Sequence, residues 1–186
     1  MTSPSRGSLP LSDSGKVLRE EIVFSTPWFA LVSREIEGFD VHYVVNAPDY
    51  VNVLALSEQK EILLIRQFRP AVNRYTLELP GGHVDAGETP QHAAERELIE
   101  ETGYASERIE LLGSLTPDTA RLSNRLWCYF AADARPIETT FELEVIKMPL
   151  EQFQSAVATG RFDTALHIAI YGLAAARGVV PLGNSP

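Results

Sequence analysis

From Gly82 to Tyr104 the chain reads GHVDAGETPQHAAERELIEETGY, a glycine-bearing turn followed by a stretch crowded with acids. If that stretch is helical, Glu97, Glu100 and Glu101 stand at i, i+3 and i+4 and project from one face within a few ångströms of each other. Like charges at that spacing destabilise an isolated helix by roughly 0.2–0.5 kcal/mol per pair, and a plain surface helix would interleave lysines. A hard divalent cation removes the conflict, because Mg2+ takes oxygen ligands and shares carboxylates with the phosphates of a substrate.

The helix has its own start and stop signals. Thr89 or Glu88 can open it, Pro90 suits a first turn whose N–H has no partner, and Gly103 can close it in a left-handed cap. Upstream, VNVLALS and EILLIRQF flank a turn around Glu58–Lys60 and read as apolar strands of a buried sheet. RYTLELPGG then carries the chain to the helix, with Leu77 and Leu79 on one side and Glu78 on the other. Downstream, RIELLGSL, RLWCYFAA and FELEVIKM read as strands, and the long polar loop TPDTARLSN as a segment at a site. LEQFQSAVATG reads as a short helix, and DTALHIAIYGLAAARG as a helix capped by Asp163 and Gly178. Strands on both sides of a helix, with further helices at the C-terminus, give an α/β sandwich.

Ahead of this lie two other textures. Residues 1–15, rich in Ser, Pro and Gly, bury little and read as a flexible N-terminal tail. Residues 16–47 form an N-terminal lobe of three antiparallel strands, VLREEIVFS, WFALVSREIEG and DVHYVVN, and residues 48–186 the main domain. Val17, Leu18, Ile22, Phe24, Trp28, Phe29, Leu31 and Val32 crowd strands too few to bury them, so this lobe needs another surface.

The net charge of −9 argues against a nucleic-acid backbone as partner, which would call for clustered Lys and Arg. An anionic small molecule would need metal ions and local arginines to overcome the field. The lone Cys128 leaves no disulfide frame and points to a reducing cytoplasm. No apolar run of membrane-spanning length exists, so no membrane partner is expected.

The acidic stretch resembles the Nudix hydrolases, whose box reads G-x5-E-x7-R-E-U-x-E-E-x-G-U with U a bulky apolar residue. Gly82, Glu88, Arg96, Glu97, Leu98, Glu100, Glu101 and Gly103 fall in register, and Tyr104 stands where an aliphatic residue is commoner. The resemblance implies a Nudix-type α/β/α sandwich that hydrolyses a nucleoside diphosphate linked to a further group. It also implies Mg2+ held by Glu97 and Glu101, with Mn2+ as an alternative, Glu100 sharing a metal or orienting its water, and the Gly81 carbonyl as a further ligand. Arg96 takes a structural role, holding a carboxylate such as Glu88 by a bidentate contact; Glu88 itself reads equally as support or as a weak metal contact.

The flanks resemble the ADP-ribose pyrophosphatase branch, in which an R-Q-x-R…L-E-L-P-x-G run precedes the box; here the run is RQFRPAVNRYTLELPGG. On that resemblance Arg69 binds a substrate phosphate and Glu78 lies in the same cleft, although Arg69 also reads as a solvated cation at a strand end. Trp28 can stack on a base or serve as a core or dimer-interface residue. The branch supplies a general base from an acidic loop, here IETTFELE, which leaves Glu138 and Glu142 as candidates; Glu142 and Glu144 read equally as the solvent face of a strand, and Glu100 is the fallback. Pro117 follows the box at a shorter offset than an ADP-ribose specialist has, and the usual S-P-G run is missing from Asp118–Asn124. The branch further implies a homodimer whose lobes help complete the partner's site. His42, His83, His92 and His167 lack metal-ligand company and read as structural or exposed, His83 alone lying near the box. Rival readings are a nucleoside triphosphate pyrophosphohydrolase, which the lobe disfavours, and a non-catalytic ligand sensor, which the intact acid set disfavours.

Overall fold

The computed structural model describes residues 15–182; of the tail expected over residues 1–15, all but Gly15 lies outside them. The chain divides between Asn46 and Ala47 into two compact units.

The first unit is an antiparallel meander of β1 (Val17–Ser25), β2 (Ala30–Ile36) and β3 (His42–Asn46), with Ile22 opposite Val32 and Leu31 opposite Val45. The Thr26 hydroxyl makes the first reversal, accepting the Trp28 and Phe29 amide protons and donating to the Phe29 carbonyl. Every residue of β1 is exposed, and among the unit's described residues only Val32 is buried. Ile22 is 69% exposed, Phe24 56% and Trp28 68%.

The second unit is built on a seven-stranded mixed sheet. Its strands are β4 (Tyr50–Ser57), β5 (Glu61–Arg69), β6 (Arg74–Glu78), β7 (Tyr104–Ala105), β8 (Arg108–Leu115), β9 (Leu126–Pro136) and β10 (Glu144–Pro149). The order β10-β5-β4-β9-β7, with β6 on β5 and β8 on β9, is antiparallel throughout except for the parallel central pair β4–β9. The helices are α1 (Pro90–Thr102), α2 (Leu150–Ala158) and α3 (Ala165–Ala176). After Tyr50 every residue of β4 is buried because its side chains alternate between two cores. Val51, Val53 and Ala55 join Ala93, Ala94 and Leu98 of α1, whereas Leu54 and Leu56 join Phe153 of α2 and Ile170 of α3. The result is the α/β/α sandwich, with the acidic helix alone on its face. No helix among the described residues is long and apolar enough to cross a membrane.

Two local expectations are overturned by contacts distant in sequence. Thr164, not Asp163, is the N-cap of α3, and it makes no capping side-chain bond; the Asp163 carboxylate is drawn instead to Arg74 at 2.6 Å. The strand expected over FELEVIKM begins only at Glu144. Ile137 N–H bonds the Gly103 carbonyl and Glu142 N–H the Glu100 carbonyl, so the intervening chain follows the end of α1 rather than the sheet.

Candidate active site

Helix α1 is placed by its ends and its underside. The Thr89 hydroxyl accepts the His92 amide proton at 3.2 Å, Pro90 opens the first turn, and Gly103 at φ 69° closes the last with its N–H on the Ile99 carbonyl. Between them Ala93, Ala94, Leu98 and Thr102 are buried. Full burial of a leucine stabilises by roughly 1.5–3 kcal/mol, enough for Leu98 to set the rotation that leaves the acids along the helix rim.

The backbone from Leu79 to Gly82 lies beside that rim and is held at every residue. Leu79 N–H donates to His167 Nδ1 at 3.0 Å, Val53 N–H donates to the Pro80 carbonyl at 2.9 Å, Gly81 N–H donates to Glu101 Oε2 at 2.7 Å, and Val51 N–H donates to the Gly82 carbonyl at 2.8 Å. Asn52 Nδ2 reaches the Leu79 carbonyl at 3.3 Å. Gly81 is required by contact, since a Cβ there would lie 2.1 Å from the Val51 carbonyl oxygen; one on Gly82 would lie 2.2 Å from Glu97 Oε1 and displace that carboxylate. The Pro80 and Gly82 carbonyls are thus taken by β4, while the Gly81 N–H faces Glu101.

Burial pushes the Glu101 carboxyl up to about 7, helped by the Glu97 and Glu78 carboxylates and opposed by Gly81 N–H and Arg69. Burial likewise raises Glu97, against the pull of Arg96. The self-repelling face expected of α1 is in fact cross-linked by Arg96. Its Nε and Nη2 grip Glu88 at 3.0 and 2.9 Å, Nη1 bridges Glu97 at 2.7 Å and Glu100 at 3.1 Å, and Nη2 also donates to the His83 carbonyl at 3.0 Å. The bidentate bond from Arg96 holds Glu88 below the usual carboxylate range. Glu97 and Glu100 thus lean to Arg96 while Glu101 leans to Gly81, and no three His, Cys, Asp or Glu side chains among the described residues converge as a finished metal cage. The donor set still suits a hard cation: it is all oxygen, and two of its acids are half-buried against their own charge, which a cation would relieve.

Beside the acids, Arg69 forms a fork with Glu78, Nε to Oε1 at 2.8 Å and Nη2 to Oε2 at 2.7 Å, and Thr76 Oγ1 donates to Glu78 Oε1 at 2.6 Å. Burial works against the charge of Glu78, which is 6% exposed, but Arg69 and Thr76 hold its carboxyl below the ordinary value. Arg69 keeps about half of its side chain in solvent and also feels the Glu101 charge.

The remaining candidates are not gathered in this way. Trp28 stands exposed in the first unit. Glu138 and Glu142 are exposed, and the Glu142–Glu100 backbone bond ties the second of them to α1. Glu144 pairs with Arg66 across β10 and β5 at 3.0 Å, a strand-surface role. Sequence reasoning offers no reading of Asn52, and His167, expected to be structural or exposed, is structural, buried with its Nδ1 on the Leu79 amide. A polar residue inside the apolar run VNVLALS and a histidine inside the apolar helix ALHIAIYGL were the available signals. A cleft of about 500 Å3 beside Lys60, Leu150 and Gln154 shares no residue with the acid rim, so chemistry rather than volume locates the site.

A helix rimmed with half-buried acids and set against the Leu79–Gly82 backbone in a three-layer α/β unit defines a hydrolase of Nudix type. The NUDIX domain matches residues 47–163, and the chain belongs to that family. An ADP-ribose pyrophosphatase of Bacillus subtilis (strain 168) is 27% identical over 73% of this chain and 79% of its own length. A CMP-5'-(N-acetyl-N-hydroxy-3-aminopropyl)phosphonate hydrolase of Streptomyces rubellomurinus (strain ATCC 31215) is 32% identical over 73% of this chain and 70% of its own. The crystal structure of an ADP compounds hydrolase matches with a TM-score of 0.74 at 21% identity, over 90% of this chain and 98% of that one, a likeness of fold.

Proposed function

We propose that the protein uses Mg2+ to hydrolyse the pyrophosphate bond of ADP-ribose or a related nucleoside diphosphate sugar, releasing a nucleoside monophosphate and a sugar phosphate. The observation that carries this reading is the pairing of half-buried acids raised against their charge with the half-exposed Arg69 fork within electrostatic reach of Glu101. An ADP-ribose pyrophosphatase among the relatives supports the substrate class.

Glu97 and Glu101, with Glu100 and the Gly81 carbonyl, would hold Mg2+ or Mn2+, which when bound neutralises phosphate charge and acidifies water. Glu78 fixes the plane of the Arg69 guanidinium, leaving its solvent edge for a substrate phosphate. Arg96 keeps Glu88, Glu97 and Glu100 in one array before substrate arrives. Glu142, on the segment bonded to α1, is the first choice for the base that takes the proton of the attacking water, with Glu138 and Glu100 behind it. The first unit's bare β1 face is covered by a second copy of the chain, making a homodimer.

Purified protein with Mg2+ is offered nucleotide sugars, dinucleotides and nucleoside triphosphates, and the products are read by phosphorus NMR. AMP and ribose phosphate from ADP-ribose are the expected products. Turnover of triphosphates alone would overturn the proposal.

A further inference from the structure

Helix α3 touches the site through one side chain that the proposed chemistry leaves without a task. His167 is 5% exposed, and its Nδ1 accepts the Leu79 amide proton at 3.0 Å. One turn earlier, Thr164 Oγ1 donates to the Leu77 carbonyl at 3.4 Å. These two bonds fall on alternate residues of one edge of β6 and its continuation, the edge opposite the one that pairs with β5. The first turn of α3 therefore stands in for a missing neighbouring strand. Between the two bonded residues lies Glu78, whose carboxylate sets Arg69; two residues beyond lies Gly81, whose N–H holds Glu101.

We propose that His167 is a positioning residue: by accepting the Leu79 N–H it fixes the run from Glu78 to Gly81, and so sets both the Arg69 fork and the Glu101 carboxylate. This rests on the reading of Arg69 and Glu101 as substrate- and cation-binding groups. The bond requires an unprotonated Nδ1, which assigns the ring proton to Nε2. Burial favours the neutral ring, and lowers its pKa to about 4 although the nearby Glu78 charge pulls the other way. The β5–β6 register stops at Glu78, one residue before Leu79, and the Leu79 N–H donates to His167 instead. Removing the ring nitrogen would leave a buried N–H without a partner, while a phenylalanine would keep the ring volume.

The test combines a wild-type measurement with two variants. In wild-type protein, 15N NMR is expected to show a bare Nδ1 coupled across the hydrogen bond to the Leu79 amide; absence of that coupling would overturn the proposal. In His167→Phe, Leu79 and Gly81 amides are expected to exchange faster and kcat/KM for ADP-ribose to fall by on the order of tenfold, the scale set by one orphaned buried N–H. His167→Asn places an acceptor oxygen near the position of Nδ1 and is expected to restore most of both. Unchanged exchange in the Phe variant would mean that ring volume alone suffices, and equal damage in the two would mean that an acceptor at the Nδ1 position does not hold the run; either would overturn it. Should the Phe variant not fold, the wild-type coupling and the Asn variant decide. If wild-type protein leaves ADP-ribose intact while coupling and exchange behave as expected, the substrate reading fails and the positioning role stands.

Discussion

Strands β1 and β4 make opposite use of similar residues. Each carries valine, leucine or isoleucine along its length, yet β1 is exposed throughout and β4 is buried from Val51 to Ser57. The difference lies in the neighbours. Central β4 has a helix layer on each face, whereas the first unit comprises three strands and, among its described residues, no helix. The second unit contains what it needs to form a core and an acid site. The first contains apolar surface in search of a cover.

Catalysis offers the sharpest way to break this contrast. Glu101→Gln is expected to lower turnover by on the order of 10^2 or more, since a cation's charge stabilisation is worth several kcal/mol, while circular dichroism stays near wild type and the melting temperature does not fall. Wild-type rates at saturating Mg2+ would remove Glu101 from the ligand set. Glu142→Gln is expected to reduce kcat by about 10^2, the lower end for general base catalysis, with KM little changed. Glu138→Gln is its matched control, and equally small effects for both would return the role to Glu100.

The lobe is tested by mass. Deletion of residues 1–47 should leave the second unit folded, turn a dimer into a monomer by light scattering, and weaken nucleotide binding. A full-length chain that is already monomeric at micromolar concentration would leave the β1 face unexplained and favour the triphosphate hydrolase reading.

The smallest effects concern pH, where a buried group and a half-buried one oppose each other. His167, facing Glu78 and Arg69, is lowered from 6.5 to about 4, so the native state binds fewer protons than the unfolded chain and stability falls as pH drops through that window. Glu101, facing Glu97, Glu78 and Arg69, is raised from 4.5 to about 7, so the native state binds more protons and stability falls as pH rises through its own. Each amounts to roughly 3 kcal/mol across its range, and in chelator-treated wild type the two slopes largely offset. Glu101→Gln should uncover the His167 slope, and His167→Asn the opposite one, in melting temperatures recorded from pH 4 to 8. Parallel slopes in the two variants would refute the assignment.

What could be read from the sequence divides along a related line. The acidic helix was legible because its determinants are local: Thr89, Pro90 and Gly103 cap it, and Arg96 lies one turn from Glu100. The α/β sandwich was legible from alternating and continuous apolar runs, and its α/β/α layering from the resemblance to the Nudix hydrolases. The cap of α3 was not, because Asp163 is claimed by Arg74, 89 residues away. Nor was the true start of β10, since the segment before it is held by the end of α1. His167 was visible only as a polar interruption of an apolar helix; its partner Leu79 lies 88 positions upstream, and no periodicity reports a bond of that span.

The grip on Leu79–Gly82 also bears on the order of events during synthesis. Its bonds join residues 20, 27 and 88 positions apart in sequence. A ribosome that has released α1 has therefore made every acid of the rim, but not the helix that steadies the backbone opposite it. Closing contacts of such span is slow relative to forming a helix, and must await the emergence of α3. The nascent chain thus carries its acids without the bond from Leu79 to His167 until nearly all of the second unit has been translated.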